Sequence, residues 1–102
     1  MSRPTIGLGI TASVRWRHLI ACLESVSAQR NYVADVLCIE DGMTHPNIKA
    51  LCVEYGVRYA QLGGEKAHRR LVQCHNYLMR EVRADVIVRM SQDTILRSDF
   101  CA

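Results

Sequence analysis

Asp93 stands alone at the end of a β-branched run, Val86-Ile87-Val88, that continues through Arg89-Met90-Ser91-Gln92. A carboxylate in that place can ligate a hard cation, cap a following element, or sit in a solvated turn. A second acidic site, Glu40-Asp41, closes the apolar run from Asp35 and is followed by Gly42. Those acids can accept hydrogen bonds from a ligand, or be plain turn acids. Thr11 and Ser13 place hydroxyls at the end of a third apolar run, Thr5 to Thr11. Thr11 is a candidate ligand contact, against the reading that it only satisfies backbone groups at a strand end. Ser13 is a candidate ligand contact and also a fitting N-cap for the helix behind it. His68-Arg69-Arg70 opens a helical stretch, and Arg69 or Arg70 is a candidate phosphate contact, against the plainer reading of a solvated helix face.

These side chains converge only if the elements between them arrange their ends. From Arg15 to Gln29, residues Trp16, Leu19, Ile20, Leu23 and Val26 form one helical face, with Arg17, Glu24 and Gln29 off it. Asp35 to Asp41 reads as a second strand. A second helix spans 44–55, with Pro46 near its start, Ile48, Leu51, Cys52 and Tyr55 on one face, and Gly56 in the C-cap position. Val57 to Leu62 alternates as a third strand, and Gly63-Gly64 forms a loop. Ala67 to Val82 is a third helix, with Leu71, Val72, His75, Leu78, Met79 and Val82 spaced for burial. Asp85 to Met90 is the fourth strand.

Strands alternating with helices in this way predict an α/β fold: a Rossmann-like open parallel sheet with helices on both faces, about four strands and three helices. The 102 residues suit one domain, 1–102. Ligands of such sheets bind outside the carboxyl ends of the strands, near the point where strand order reverses. Those ends are Thr11 to Ser13, Glu40 to Gly42, Leu62 to Gly64, and Ser91 to Asp93.

Composition narrows the function classes. Hydrophobic residues make up 49% of the chain, which argues for a packed core and against disorder. A net charge of +3 is too mild to point to nucleic acid and suits a small anionic ligand. Five cysteines, with no CxxC pair, read as reduced core thiols of a cytoplasmic protein rather than as zinc ligands or disulfides. No apolar run is long enough to span a bilayer, and the N-terminal residues lack the apolar stretch of a signal peptide. Gly7-Leu8-Gly9-Ile10-Thr11-Ala12 fits the GxGxxA pattern of dinucleotide-binding modules. That pattern requires a whole strand before its first glycine, and here the glycines lie inside the strand.

Three segments together resemble family 2 glycosyltransferases: IGLGITASVRWRHLIACLESVSAQ, VLCIEDGM and HNYLMREVRADVIVRMSQDTILRSDF. Ile10-Thr11-Ala12-Ser13 stands where that family has Pro-Thr-Tyr-Asn, and Cys22-Leu23-Glu24-Ser25 with Gln29 matches its first helix. Glu40-Asp41-Gly42-Met43 stands at its nucleoside-binding turn, and Ser91-Gln92-Asp93 at its DxD metal motif, with Ser91 replacing the first acid. The resemblance implies the N-terminal half of a GT-A fold, binding a nucleoside-diphosphate sugar with a divalent metal, Mn or Mg, for glycosyl transfer to an acceptor hydroxyl. It implies nucleoside contacts at Thr11, Glu40 and Asp41, and a metal contact at Asp93. The family's acceptor half and catalytic base have no counterpart in these residues, so a half-domain is expected, with its fourth-strand edge covered by a second chain or by self-association. The competing expectations are a non-catalytic nucleotide-binding or partner-binding remnant of that fold, and a dinucleotide-binding Rossmann module.

Overall fold

The computed structural model describes residues 4–13, 16–41, 46–62 and 71–97. The elements run β1 (Ile6–Ala12), α1 (Trp16–Ser27), a 3-10 turn (Arg30–Tyr32), β2 (Asp35–Asp41), α2 (Pro46–Glu54), β3 (Arg58–Leu62), α3 (Leu71–Glu81) and β4 (Val86–Ser91). The strands form one parallel sheet in the order β3-β2-β1-β4. The fold is therefore the α/β Rossmann-like open sheet that the alternation of elements predicts. The 3-10 turn is an addition to the expected series.

The chain winds outward from β1 through β2 to β3, then returns to the other side of β1 as β4. Right-handed crossovers place helices on opposite faces when the winding direction reverses. The two hydrophobic clusters follow that rule. Leu8 and Ile10 of β1 and Val36 and Cys38 of β2 meet α1 and α2 through Leu19, Leu23, Val26, Ile48 and Cys52. Leu37 and Ile39 of β2 meet α3 through Cys74, Leu78 and Val82 on the other face. Successive strand residues thus serve opposite layers, as the two-residue period demands.

Gly7 and Gly9 face α3. A Cβ on Gly7 would lie 2.5 Å from Val82 Cγ1 and 2.8 Å from Ala84 Cβ, and one on Gly9 would lie 3.2 Å from Leu78 Cβ. These glycines let a helix lie close on the strand, which accounts for their place inside β1.

Helix α2 ends in a Schellman motif. Gly56 adopts φ +67°, its N–H donates to Val53 O at 3.2 Å, and Val57 N–H donates to Cys52 O at 2.8 Å. At the amino ends of the strands, Asp35 accepts from Arg58 Nε at 2.9 Å and from Arg83 N–H at 2.8 Å, tying β2, β3 and the approach to β4 together. Thr5 and Asp85 exchange two hydrogen bonds there, from Thr5 N–H at 2.9 Å and from Asp85 N–H at 2.8 Å.

Two helical positions differ from the expected pattern. Met79 is 49% exposed, because the buried stripe of α3 runs at intervals of four through Cys74, Leu78 and Val82. Gln29, expected off the apolar face, is fully buried, and its amide N–H donates to Arg97 O at 2.8 Å. The cysteines Cys22, Cys38, Cys52 and Cys74 are buried free thiols. Among the described residues no helix is long and apolar enough to cross a membrane.

Candidate functional site

β1 and β4 are neighbours whose crossover helices lie on opposite faces, so their carboxyl ends diverge and leave a crevice. A hollow of about 290 Å³ occupies this position, lined by Thr11, Ala12, Ser13, His18, Asp41, Ser91, Gln92 and Asp93. Register explains the gathering. Thr11 pairs with Ser91 across β1 and β4 and with Ile39 across β1 and β2. Thr11, Asp41 and Ser91 therefore share the sheet face that carries α3.

Glu40 falls on the opposite face for the same reason. It is fully buried and does not line the hollow; its carboxylate accepts from the Tyr59 hydroxyl. Burial, the bond to Glu40 and its negative charge push the Tyr59 hydroxyl well above the ordinary phenol range. Arg69 and Arg70 lie outside the described residues, as do Gly42 and the chain between Ser13 and Trp16 that bears on the Ser13 cap.

Four contacts fix the end of β4. Ser13 N–H donates to Gln92 Oε1 at 2.9 Å, so the side chain of Gln92 holds the ends of β1 and β4 together. The Ser91 hydroxyl donates to Asp93 Oδ1. Ser91 and Thr94 hydroxyls lie 3.3 Å apart, and Thr94 N–H donates to Ser91 O at 3.1 Å, closing a turn around Asp93.

Helix α1 supports the segment beyond that turn. Ser25 Oγ donates to Cys22 O at 2.7 Å and accepts from Leu96 N–H at 3.0 Å, and Gln29, just past the end of α1, reaches Arg97 O. Cys22 Sγ lies 3.9 Å from Ser91 O. Burial, then the Asp93 charge, push the Cys22 thiol up to about 12.

His18 is a lining residue for which the apolar pattern of α1 gives no cue. The third residue of α1, it is exposed and overhangs the strand ends. The available signal is topological: the first turn of a helix after a Rossmann strand borders the ligand edge.

The hollow offers oxygen donors from Thr11, Ser13, Asp41, Ser91 and Asp93, a set suited to a hard cation or to the hydroxyls of a sugar. Among the described residues no group of three or more His, Cys, Asp or Glu side chains converges to hold a metal by itself. The chain matches no protein-family model and no curated protein.

Proposed function

We propose that this domain binds a nucleoside-diphosphate sugar with a divalent cation, as a glycosyltransferase domain of the family 2 type. The observation that carries the reading is the polar hollow at the β1–β4 divergence, with Thr11, Asp41, Ser91 and Asp93 on one edge. At about 290 Å³ it lies at the low end of small-molecule sites, with room for a ribose and diphosphate and with the base and sugar extending past its rim. Asp41 accepts from the ribose or the base. Asp93 contributes one carboxylate to the cation, and water and diphosphate oxygens supply the remaining ligands, as suits Mg or Mn. The cation neutralises the leaving diphosphate. Metal and nucleotide binding are then mutually dependent, each tightening the other by the same factor.

The test is calorimetric titration of UDP, with manganese and with chelator, on wild type and Asp93→Ala. Manganese enhances binding in wild type and loses its effect in the variant. UDP binding that ignores manganese in both proteins would remove the cation role, and no UDP binding at all would remove the reading.

The Ser91–Asp93–Thr94 turn favours a second reading, in which Asp93 serves only to close the chain after β4 and the domain is a non-catalytic binding module. On that reading Asp93→Ala lowers the melting temperature and leaves nucleotide affinity unchanged. Ser91→Asp separates the two: a second acid strengthens cation binding at a metal site and only disturbs the turn otherwise.

A further inference from the structure

We infer that His18 is a phosphate contact in this hollow. The inference rests on the nucleoside-diphosphate reading and deepens it by naming a residue that meets the anionic part of the ligand.

Two carboxylates, Asp41 and Asp93, line the hollow, and among its described lining there is no lysine or arginine. A diphosphate placed there is repelled by both acids unless donors or positive charge face it. The hydroxyl proton of Ser91 is already directed at Asp93, and the remaining side-chain donors of the described lining, the hydroxyls of Thr11 and Ser13 and the amide N–H of Gln92, carry no charge. His18 enters from a separate element, α1, and forms no hydrogen bond or ion pair among the described residues. Its imidazole donates an N–H in the neutral state and two in the charged state, so it meets phosphate oxygen in either. It is exposed, so it contributes little to the core, and its conservation of fold on substitution is expected.

The division of labour is then spatial. Asp41 reads the nucleoside at the end of β2, Asp93 faces the cation at the end of β4, and His18 meets phosphate oxygen from the first turn of α1.

The experiment titrates inorganic pyrophosphate, UDP and uridine into wild type, His18→Ala and His18→Asn, with manganese present and melting temperatures recorded. His18→Ala weakens pyrophosphate and UDP by about tenfold, the order expected for one charged hydrogen bond, and leaves uridine unchanged. His18→Asn, which keeps an N–H donor, recovers part of the loss. Melting temperatures stay at the wild-type value. Wild-type affinity of His18→Ala for pyrophosphate and UDP overturns the assignment while the nucleoside-diphosphate reading stands. An equal loss for uridine also overturns it, since the residue would then act on the nucleoside. Wild type that binds neither pyrophosphate nor UDP overturns both.

Discussion

The main-chain N–H of Ser13 donates to Gln92 Oε1 at 2.9 Å, joining the ends of two adjacent strands across 79 residues of sequence. The β1–β4 register runs to the Thr11–Ser91 pair, and past it one side chain takes the place of the next rung. Gln92→Ala leaves Ser13 N–H part-buried without its acceptor, at a cost of about 1 kcal/mol. For a domain of this length that is a fall of about 4–8 °C in melting temperature. Gln92→Glu keeps an acceptor and stays near wild type. Equal melting temperatures for wild type and Gln92→Ala in thermal unfolding would show that the rung carries no load.

Helix α1 and the turn after it hold the chain beyond β4 by two side chains four residues apart, Ser25 and Gln29. Gln29→Leu keeps the volume and removes the donor to Arg97 O, and Ser25→Ala removes the acceptor for Leu96 N–H. Each costs about 1–3 kcal/mol because a part-buried backbone group is left without its partner. Hydrogen exchange at the Leu96 amide gives the local readout: it accelerates in Ser25→Ala more than amides of the central strands do. Uniform acceleration across the sheet would mean that Ser25 acts on global stability only.

Much of this architecture was legible because periodicity and turn chemistry agree. Pro46 and Gly56 mark the two ends of α2, and the four apolar runs mark the strands. The strand-end rule brought Thr11, Ser13, Asp41 and Asp93 to one edge, and they line one hollow. The same two-residue period separates Glu40 from Asp41, and applied strictly it would have put Glu40 under the sheet. Gln29 was misread because a buried amide breaks the apolar pattern; its need is a backbone carbonyl that arrives 68 residues later. Met79 was misread because a stripe at intervals of three and four admits two neighbours, and only contact with β1 and β2 selects Cys74, Leu78 and Val82. β4 is an edge strand, as the winding requires, and Val86 on it is 48% exposed.

Close approach of α3 predicts a steric test. Gly7→Ala puts a methyl 2.5 Å from Val82 Cγ1 and 2.8 Å from Ala84 Cβ, and the second of these atoms has no side-chain freedom to retreat. Overpacking of this kind costs about 1–3 kcal/mol. Pairing Gly7→Ala with Val82→Ala relieves the closer clash, so the double variant is more stable than the sum of the single effects. Strict additivity in denaturant unfolding would place the glycine's role elsewhere.

Asp35 sets the acid limb. The bond from Arg58, then the one from Arg83 N–H, hold its carboxyl below the ordinary carboxylate range. A depressed folded pKa contributes stability that is complete above the unfolded value of about 3.9 and is lost as pH falls through the folded value. Asp35→Asn therefore destabilises at neutral pH and flattens the loss of stability below about pH 4. Urea unfolding midpoints from pH 7 to pH 3 read this out, and parallel curves for the two proteins would exclude Asp35 as the group responsible.

Cys22 contributes to the alkaline limb by the opposite sign, together with the raised Cys38 thiol and Tyr59 hydroxyl. Burial, the Asp93 charge and the neighbouring Cys52 raise its thiol to about 12, whereas an unfolded cysteine titrates at about 8.5. The folded state thus holds its proton in a range where the unfolded chain releases it, and stability falls as pH rises above about 8.5. Native Cys22 is also protected as a nucleophile, since the thiolate is the reactive form. Peptide-mapped alkylation at pH 8 therefore finds Cys22 unmodified in the folded protein and modified in urea. Cys22→Ala removes its contribution to the alkaline slope, and Asp93→Asn, by deleting a facing charge, lowers the thiol and reduces the slope in part. Alkylation of native Cys22 at the rate of an unfolded peptide would show that the thiol is neither buried nor charge-suppressed. An unchanged alkaline slope in Cys22→Ala would assign that limb to another group. A reduced slope in Asp93→Asn, with Cys22 still shielded, places the Asp93 charge within reach of the helix that supports its turn.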